Sequence, residues 1–204
     1  MALLNLEWLQ VVTAVRRVRP VHLAIVVAAI SGCANHVTVP EDPASPVQAY
    51  LVNHGRHASL VLPDPDGQWR RYVHGEWRWY ALDETGPLRA MQAILWPTQA
   101  TIGRGTLDRS PETGRPLPGI PEGYAEAIGF QVSQSRVTAL RDRLDAYFEN
   151  PEKRHYQPRY GLEFVPFPKD YWFMHQSNEV IAHWLRALGL EVRGPTLFSD
   201  WKFR

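Results

Sequence analysis

The sequence predicts one α+β domain, a small antiparallel sheet with helices packed on it. Three observations predict this. Short runs of strand character follow one another early in the chain, separated by turn residues. Two later segments carry apolar residues at helical spacing. The length, 204 residues, suffices for one buried core but not comfortably for two. Taken in order, VQAYLVN (47–53) and HASLVLP (57–63) read as strands, PDPDG (63–67) as a turn, and QWRRYVHG (68–75) as a third strand, which makes an antiparallel meander. A helix is expected over PLRAMQAILW (87–96), with Pro87 at its first position, where a missing N–H costs nothing. Pro and Gly recur through RGTLDRSPETGRPLPGIPEGY (104–124), which reads as an irregular loop.

In SRVTALRDRLDAYFEN (135–150), Val137, Leu140, Leu144, Tyr147 and Phe148 follow the three-and-four spacing of one buried helical face, with Ser133 or Ser135 as the cap. HYQPRYGLEFVPF (155–167) offers broken strand material. EVIAHWLRALGL (179–190) places Val180, Ile181, Trp184, Leu185 and Leu188 on one face before Gly189 stops the helix. No internal repeat or low-complexity tract interrupts this order.

The charges balance, with 22 Lys+Arg against 21 Asp+Glu, so no nucleic acid or other polyanionic partner is expected. Eight tryptophans and eight tyrosines point to an aromatic core or a groove lined with rings, the core being the simpler expectation. Cys33 is the only cysteine, which excludes a disulfide framework, a zinc-binding Cys cluster and a catalytic thiol from the mature domain.

Arg16, Arg17 and Arg19 precede the uncharged run VHLAIVVAAI (21–30), too short to span a bilayer and right for the apolar part of a secretory signal. The run then meets ISGC. Ser31 and Gly32 before Cys33 resemble the lipobox of bacterial lipoproteins. That resemblance implies cleavage before Cys33, acylation of its thiol and attachment to membrane. Ala34 after the cysteine is compatible with sorting to the outer membrane, facing the periplasm. The expected organisation is a signal peptide over 1–32, a flexible tether over 33–46, where ANHVTVPEDPASP lacks apolar periodicity, and a folded domain over 47–204.

In NHGRHASLVLP, His57 stands at the start of an apolar strand, after a glycine able to adopt positive φ. His54, three residues earlier, would point to the opposite face of an extended chain, which makes HGRH a poor metal pair. HGRHASLVLP, YVHGEWRWYALDETG and YWFMHQSNEVIAHWLRALGLEVR, in this order, resemble a bacterial envelope family related to the circularly permuted papain-like hydrolases and acyltransferases, which include cell-wall peptidase-like and lecithin:retinol acyltransferase-like proteins. The resemblance implies a permuted papain-like fold, with a catalytic His on an early strand and a nucleophilic Cys late, at the N-terminus of a helix. His57 falls on the family's His. Glu76 stands where a short acid-bearing segment falls on VHGE, surrounded by Trp77, Trp79 and Tyr80. Ser177, in HQSN, replaces the Cys.

That replacement bears on the chemistry. A helix N-terminus favours negative charge by roughly 0.3–1 kcal/mol, and a neighbouring imidazolium lowers a thiol pKa from about 8.5 to as low as about 3–4. A serine hydroxyl is too weak an acid to be ionised at rest this way, so His57 would have to take its proton during attack. Three roles fit Ser177: a working nucleophile, a remnant in a fold that keeps only a binding cleft, or a helix cap. Glu76 or His74 could orient His57, and Trp77, His175 and Asn178 could line the cleft. The expectation is a noncatalytic binding module for a peptide, glycan or lipid. The alternative is a weak amide hydrolase or acyltransferase using Ser177 and His57. No cofactor or metal is expected.

Overall fold

The computed structural model describes residues 34–111 and 119–204. The expected signal peptide and Cys33 lie outside them. Among these residues, seven strands form one antiparallel sheet in the order β6-β2-β3-β4-β5-β8-β7. The strands are β2 (Pro46–Asn53), β3 (Ala58–Pro63), β4 (Trp69–Glu76), β5 (Thr98–Leu107), β6 (Glu126–Ser133), β7 (His155–Gln157) and β8 (Leu162–Tyr171). Four α-helices accompany them: α1 (Trp77–Tyr80), α2 (Pro87–Leu95), α3 (Gln134–Asp145) and α4 (Ser177–Ala187). The class is α+β, as the sequence predicts.

Strand alternation sorts the side chains between two faces. Ala49 and Leu51 of β2, with Ala58, Leu60 and Leu62 of β3, join the main core beneath α3 and α4, which contribute Val137, Leu140 and Leu144, and Val180, Ile181, Trp184 and Leu185. Val52 and Val61 turn to the other face, where they pack with Leu107 and Ile120. On that face Val73, Leu162 and Phe164 form a further cluster. The two helical faces read from the spacing are therefore the buried ones.

The helix ends obey local rules. Gly189, at φ 95°, lies just past α4; its N–H donates to the Arg186 carbonyl, and the Leu190 N–H donates to that of Leu185, closing the six-to-one and five-to-two bonds of a Schellman end. Ser133 holds the cap position of α3 without a capping bond, its hydroxyl lying 3.0 Å from that of Ser135. α2 starts with Pro87, as expected.

Two regions differ from the sequence reading. The tether expected over 33–46 begins instead as strand β1 (Asn35–Thr38), in which Asn35 and Val37 are fully buried. β1 pairs parallel with β10 (Trp201–Phe203) and antiparallel with β9 (Glu191–Arg193), forming a second, three-stranded sheet. Its partners lie at the far end of the chain, out of reach of any local pattern. The loop expected from residue 104 begins later, because β5 continues through Gly105 to Leu107. A Cβ at Gly103 would lie 2.5 Å from Cε1 of Phe164, so this glycine makes room for a core ring.

Candidate functional site

The site forms where the β2–β3 hairpin, the end of β4 and the start of α4 meet. The hairpin turns on Gly55 and Arg56. Gly55 has φ 92°, the positive value a II′ turn requires at its first central position, and the His54 N–H donates to the His57 carbonyl at 2.9 Å. His54 and His57 are thus cross-strand neighbours on the same face, with their rings stacked at 4.6 Å. The expectation that they point apart assumed one extended strand, and the hairpin overturns it.

Behind these rings lies a buried polar cluster. Arg71 of β4 is fully buried and bound bidentately to Glu122; it also donates to the carbonyls of Tyr160 (3.1 Å) and Gly119 (3.3 Å) and, through Nε, to Ser59 Oγ (3.2 Å). Ser59 Oγ in turn donates to His54 Nε2 at 2.9 Å, while His54 Nδ1–H donates to the Gly123 carbonyl at 2.7 Å. His54, His57 and Glu122 bring their ligand atoms within 4.8 Å of one another. A metal ion there would compete with the Arg71 guanidinium for the Glu122 carboxylate and face its charge, so the donor set belongs to an ion-pair core.

In front lies a pocket of about 430 Å³, lined in part by His57, Glu76, Tyr80, Tyr171, Ser177 and Asn178. Ser177 is the first residue of α4 and is buried. It is not the cap: the Gln176 side chain accepts from the Asn178 N–H at 2.7 Å. Ser177 instead meets two phenols. The Tyr80 and Tyr171 phenols lie close enough to its hydroxyl for Ser177 to act downward on the pKa of both, and the Ser177 backbone N–H acts on Tyr171 in the same sense. Burial pushes both phenols above their usual pKa, so both stay protonated at neutral pH.

His57 is half-buried, edge-on to the Tyr80 ring at 5.4 Å. It makes no hydrogen bond to Ser177; Tyr80 contacts both. Burial, and secondarily the nearby Arg71 charge, lower the His57 pKa to about 4, so the ring is neutral at pH 7. Glu76 lines the pocket but does not orient His57. Its carboxylate accepts from the Trp79 N–H at 2.7 Å, which caps α1.

The remaining candidates lie outside the pocket. His74 is buried among Phe167, Tyr171 and His175, with neither ring nitrogen partnered. His175 Nδ1–H donates to the Asp170 carbonyl at 2.8 Å. Trp77 packs into the cluster around Val73 and Phe164. The pocket therefore gathers His57, Glu76, Ser177 and Asn178, and leaves out His74, His175 and Trp77. Asn178 adds a buried carboxamide oxygen with no partner. Sequence reasoning did not single out Tyr171, Arg71 or Glu122. Tyr171 carried no signal beyond membership of an aromatic cluster.

Burial of the histidines gives a pH dependence. His57 is held at about 4, His74 at about 3 by burial and by His175, and His54 is lowered as well, all from an ordinary 6.5. Between pH 6.5 and pH 4 the unfolded chain binds more protons than the native one. Stability is thus fully present above 6.5 and falls as the pH drops, by up to about 1.4 kcal/mol per pH unit for each such histidine. Urea midpoints at pH 7, 5.5 and 4.5 should decline in that order, and His74→Leu should make the decline shallower.

Comparison with protein-family models, with curated proteins and with solved structures returns no match for this chain. Among the described residues, no helix is long and apolar enough to cross a membrane.

Proposed function

We propose that this protein is a bacterial envelope lipoprotein, held to the outer membrane through acylated Cys33, whose permuted papain-like domain has kept its cleft as a noncatalytic binding pocket. The observation that carries this reading is the occupation of Ser177. In acyl transfer, the backbone N–H of the nucleophile helps to hold the oxyanion of the tetrahedral intermediate. Here the Tyr171 phenol stands close enough to feel that N–H, and both phenols crowd the hydroxyl that would attack. The orientation of Glu76 supports the same reading, because its carboxylate is committed to the Trp79 N–H and does not orient His57, and the acid nearest the ring, Glu122, is bound to Arg71. What remains is an open-mouthed, largely apolar pocket with an unpartnered amide oxygen, suited to holding a ligand.

The experiment is fluorophosphonate labelling of the purified full chain. No label is expected on the wild type. Label on Ser177 that disappears in His57→Ala would instead make the chain a Ser-dependent amide hydrolase or acyltransferase. The anchor is tested separately by Cys33→Ala, which should leave the membrane fraction; unchanged processing and fractionation would contradict acylation at Cys33.

A further inference from the structure

The pocket opens inside a ring of exposed apolar side chains. α2 turns Ala90, Ala93 and Ile94 toward the pocket, while its remaining apolar residues face solvent; Leu88 is 77 % exposed and Met91 50 %. Trp96 follows at 59 %. Trp172 and Phe173 line the pocket and are also exposed, and the Phe173 N–H donates to the Ile94 carbonyl at 3.1 Å, which ties their turn to the end of α2. Leu197 and Phe198 complete the ring, again both lining and exposed. An apolar surface drawn from three segments around one opening is a docking surface in a water-soluble fold. α2 carries no acidic residue, and Arg56 stands exposed at the pocket in no ion pair among the described residues, which suits an anionic headgroup layer.

What covers the ring follows from where the chain enters the fold. The Asn35 side chain accepts from the Thr196 N–H at 2.8 Å and donates to the Phe198 carbonyl at 2.7 Å. The carbonyl of Thr196 accepts from Gln176, the residue that caps α4 beside Ser177. The first buried residue of the domain thus holds the loop that brings Leu197 and Phe198 to the pocket. Consecutive Cα atoms lie about 3.8 Å apart, and Cys33 stands only two residues before Asn35. No tether separates an anchor at Cys33 from this edge of the domain.

We infer that the ring is a membrane-docking surface, which seats in the leaflet that holds the N-terminus and opens the Ser177 pocket to an acyl chain of a lipid in that leaflet. The inference rests on the lipid-anchor reading of Cys33 and adds to it the ligand class and the face through which the ligand arrives. Tyr80, Tyr171 and Asn178 then meet whatever the apolar lining admits.

The test places the full chain in vesicles of phosphatidylethanolamine and phosphatidylglycerol that contain a phosphatidylcholine with a diazirine near the end of one acyl chain. After irradiation, adducts are mapped by peptide, and the intact mass reads the state of Cys33. Adducts are expected within 88–96, 172–174 and 197–198 and on Tyr80 or Tyr171, besides any in the apolar run 21–30. The variant Leu88→Ser/Trp96→Ser/Phe173→Ser/Phe198→Ser, altered only at exposed positions, should lose the adducts outside 21–30 by about tenfold. Adducts confined to residues 1–33 overturn the inference, as does a labelled ring with Tyr80 and Tyr171 unlabelled, or capture of a protein on the ring with no lipid adduct. An acylated Cys33 with an unlabelled ring sinks the docking surface alone. An unmodified Cys33 with a labelled ring and pocket sinks the anchor and supports the docking surface.

Discussion

Arg71→Leu should lower stability by about 3–5 kcal/mol, the cost of removing one partner from a buried ion pair. The guanidinium is fully buried, and its loss strands more than a charge. Glu122 would keep a mostly buried carboxylate with no cation, the carbonyls of Gly119 and Tyr160 would lose a donor, and Ser59 would lose the N–H that orders it toward His54. The variant should show a much lower urea midpoint by tryptophan fluorescence. The double variant Arg71→Leu/Glu122→Leu should recover part of the loss, because it removes the stranded charge together with its partner. A single variant within 1 kcal/mol of wild type, roughly the median value of a surface pair, would show that this cluster does not hold the sheet to the loop that carries Glu122.

Phe164→Ala should cost a comparable amount, about 3–5 kcal/mol, through the cavity left by a fully buried ring. Phe164 packs against Tyr160 at 6.2 Å and Tyr80 at 6.4 Å, so it supports from below the phenol that meets Ser177. The same position allows a coupling test. Gly103→Ala alone pushes a methyl group into the Phe164 ring and should cost about 1–3 kcal/mol. Combined with Phe164→Ala, that methyl group loses its clash with the ring and keeps only the one with Val73 Cγ2 at 2.8 Å, so the double variant should be less destabilised than the sum of the singles. Strict additivity in urea denaturation would mean that the two positions do not share the packing described.

The parts of this molecule that were legible in the sequence are those governed by local rules. The buried faces of α3 and α4, the glycine stop after Leu188 and the β2–β3–β4 meander all follow from spacing and turn residues within a few positions. The parts that were not legible depend on distant chain. β1 lies in a segment of tether-like composition and is a strand only because β9 and β10 come to meet it, with Asn35 bonded to a carbonyl 163 residues away. β5 runs on through Gly105 to Leu107, inside the stretch that read as loop, because distant β4 pairs with it there. At the site, His57, Glu76 and Ser177 were named through the family resemblance, and all three line one pocket. Their roles were not readable. Glu76 turns to a backbone N–H of its own helix, Gln176 takes over the capping of α4, and His54 joins His57 because a hairpin inverts the rule for residues three apart.

The central claim is that Ser177 occupies a thiol site that has lost its sulfur, and the most direct measurement is the thiol pKa of Ser177→Cys, read from the pH dependence of its alkylation by iodoacetamide in the full chain. The N-terminus of α4 and the two protonated phenols at this position all stabilise a thiolate and oppose the effect of burial. His57, neutral at pH 7, adds no charge to this balance. The account predicts a pKa at least about one unit below the ordinary 8.5, with alkylation at pH 7 about tenfold faster than in Ser177→Cys/Tyr80→Phe/Tyr171→Phe. A pKa at or above 8.5, unchanged by removal of the two phenol hydroxyls, would contradict it and leave residue 177 as no more than the first residue of a helix.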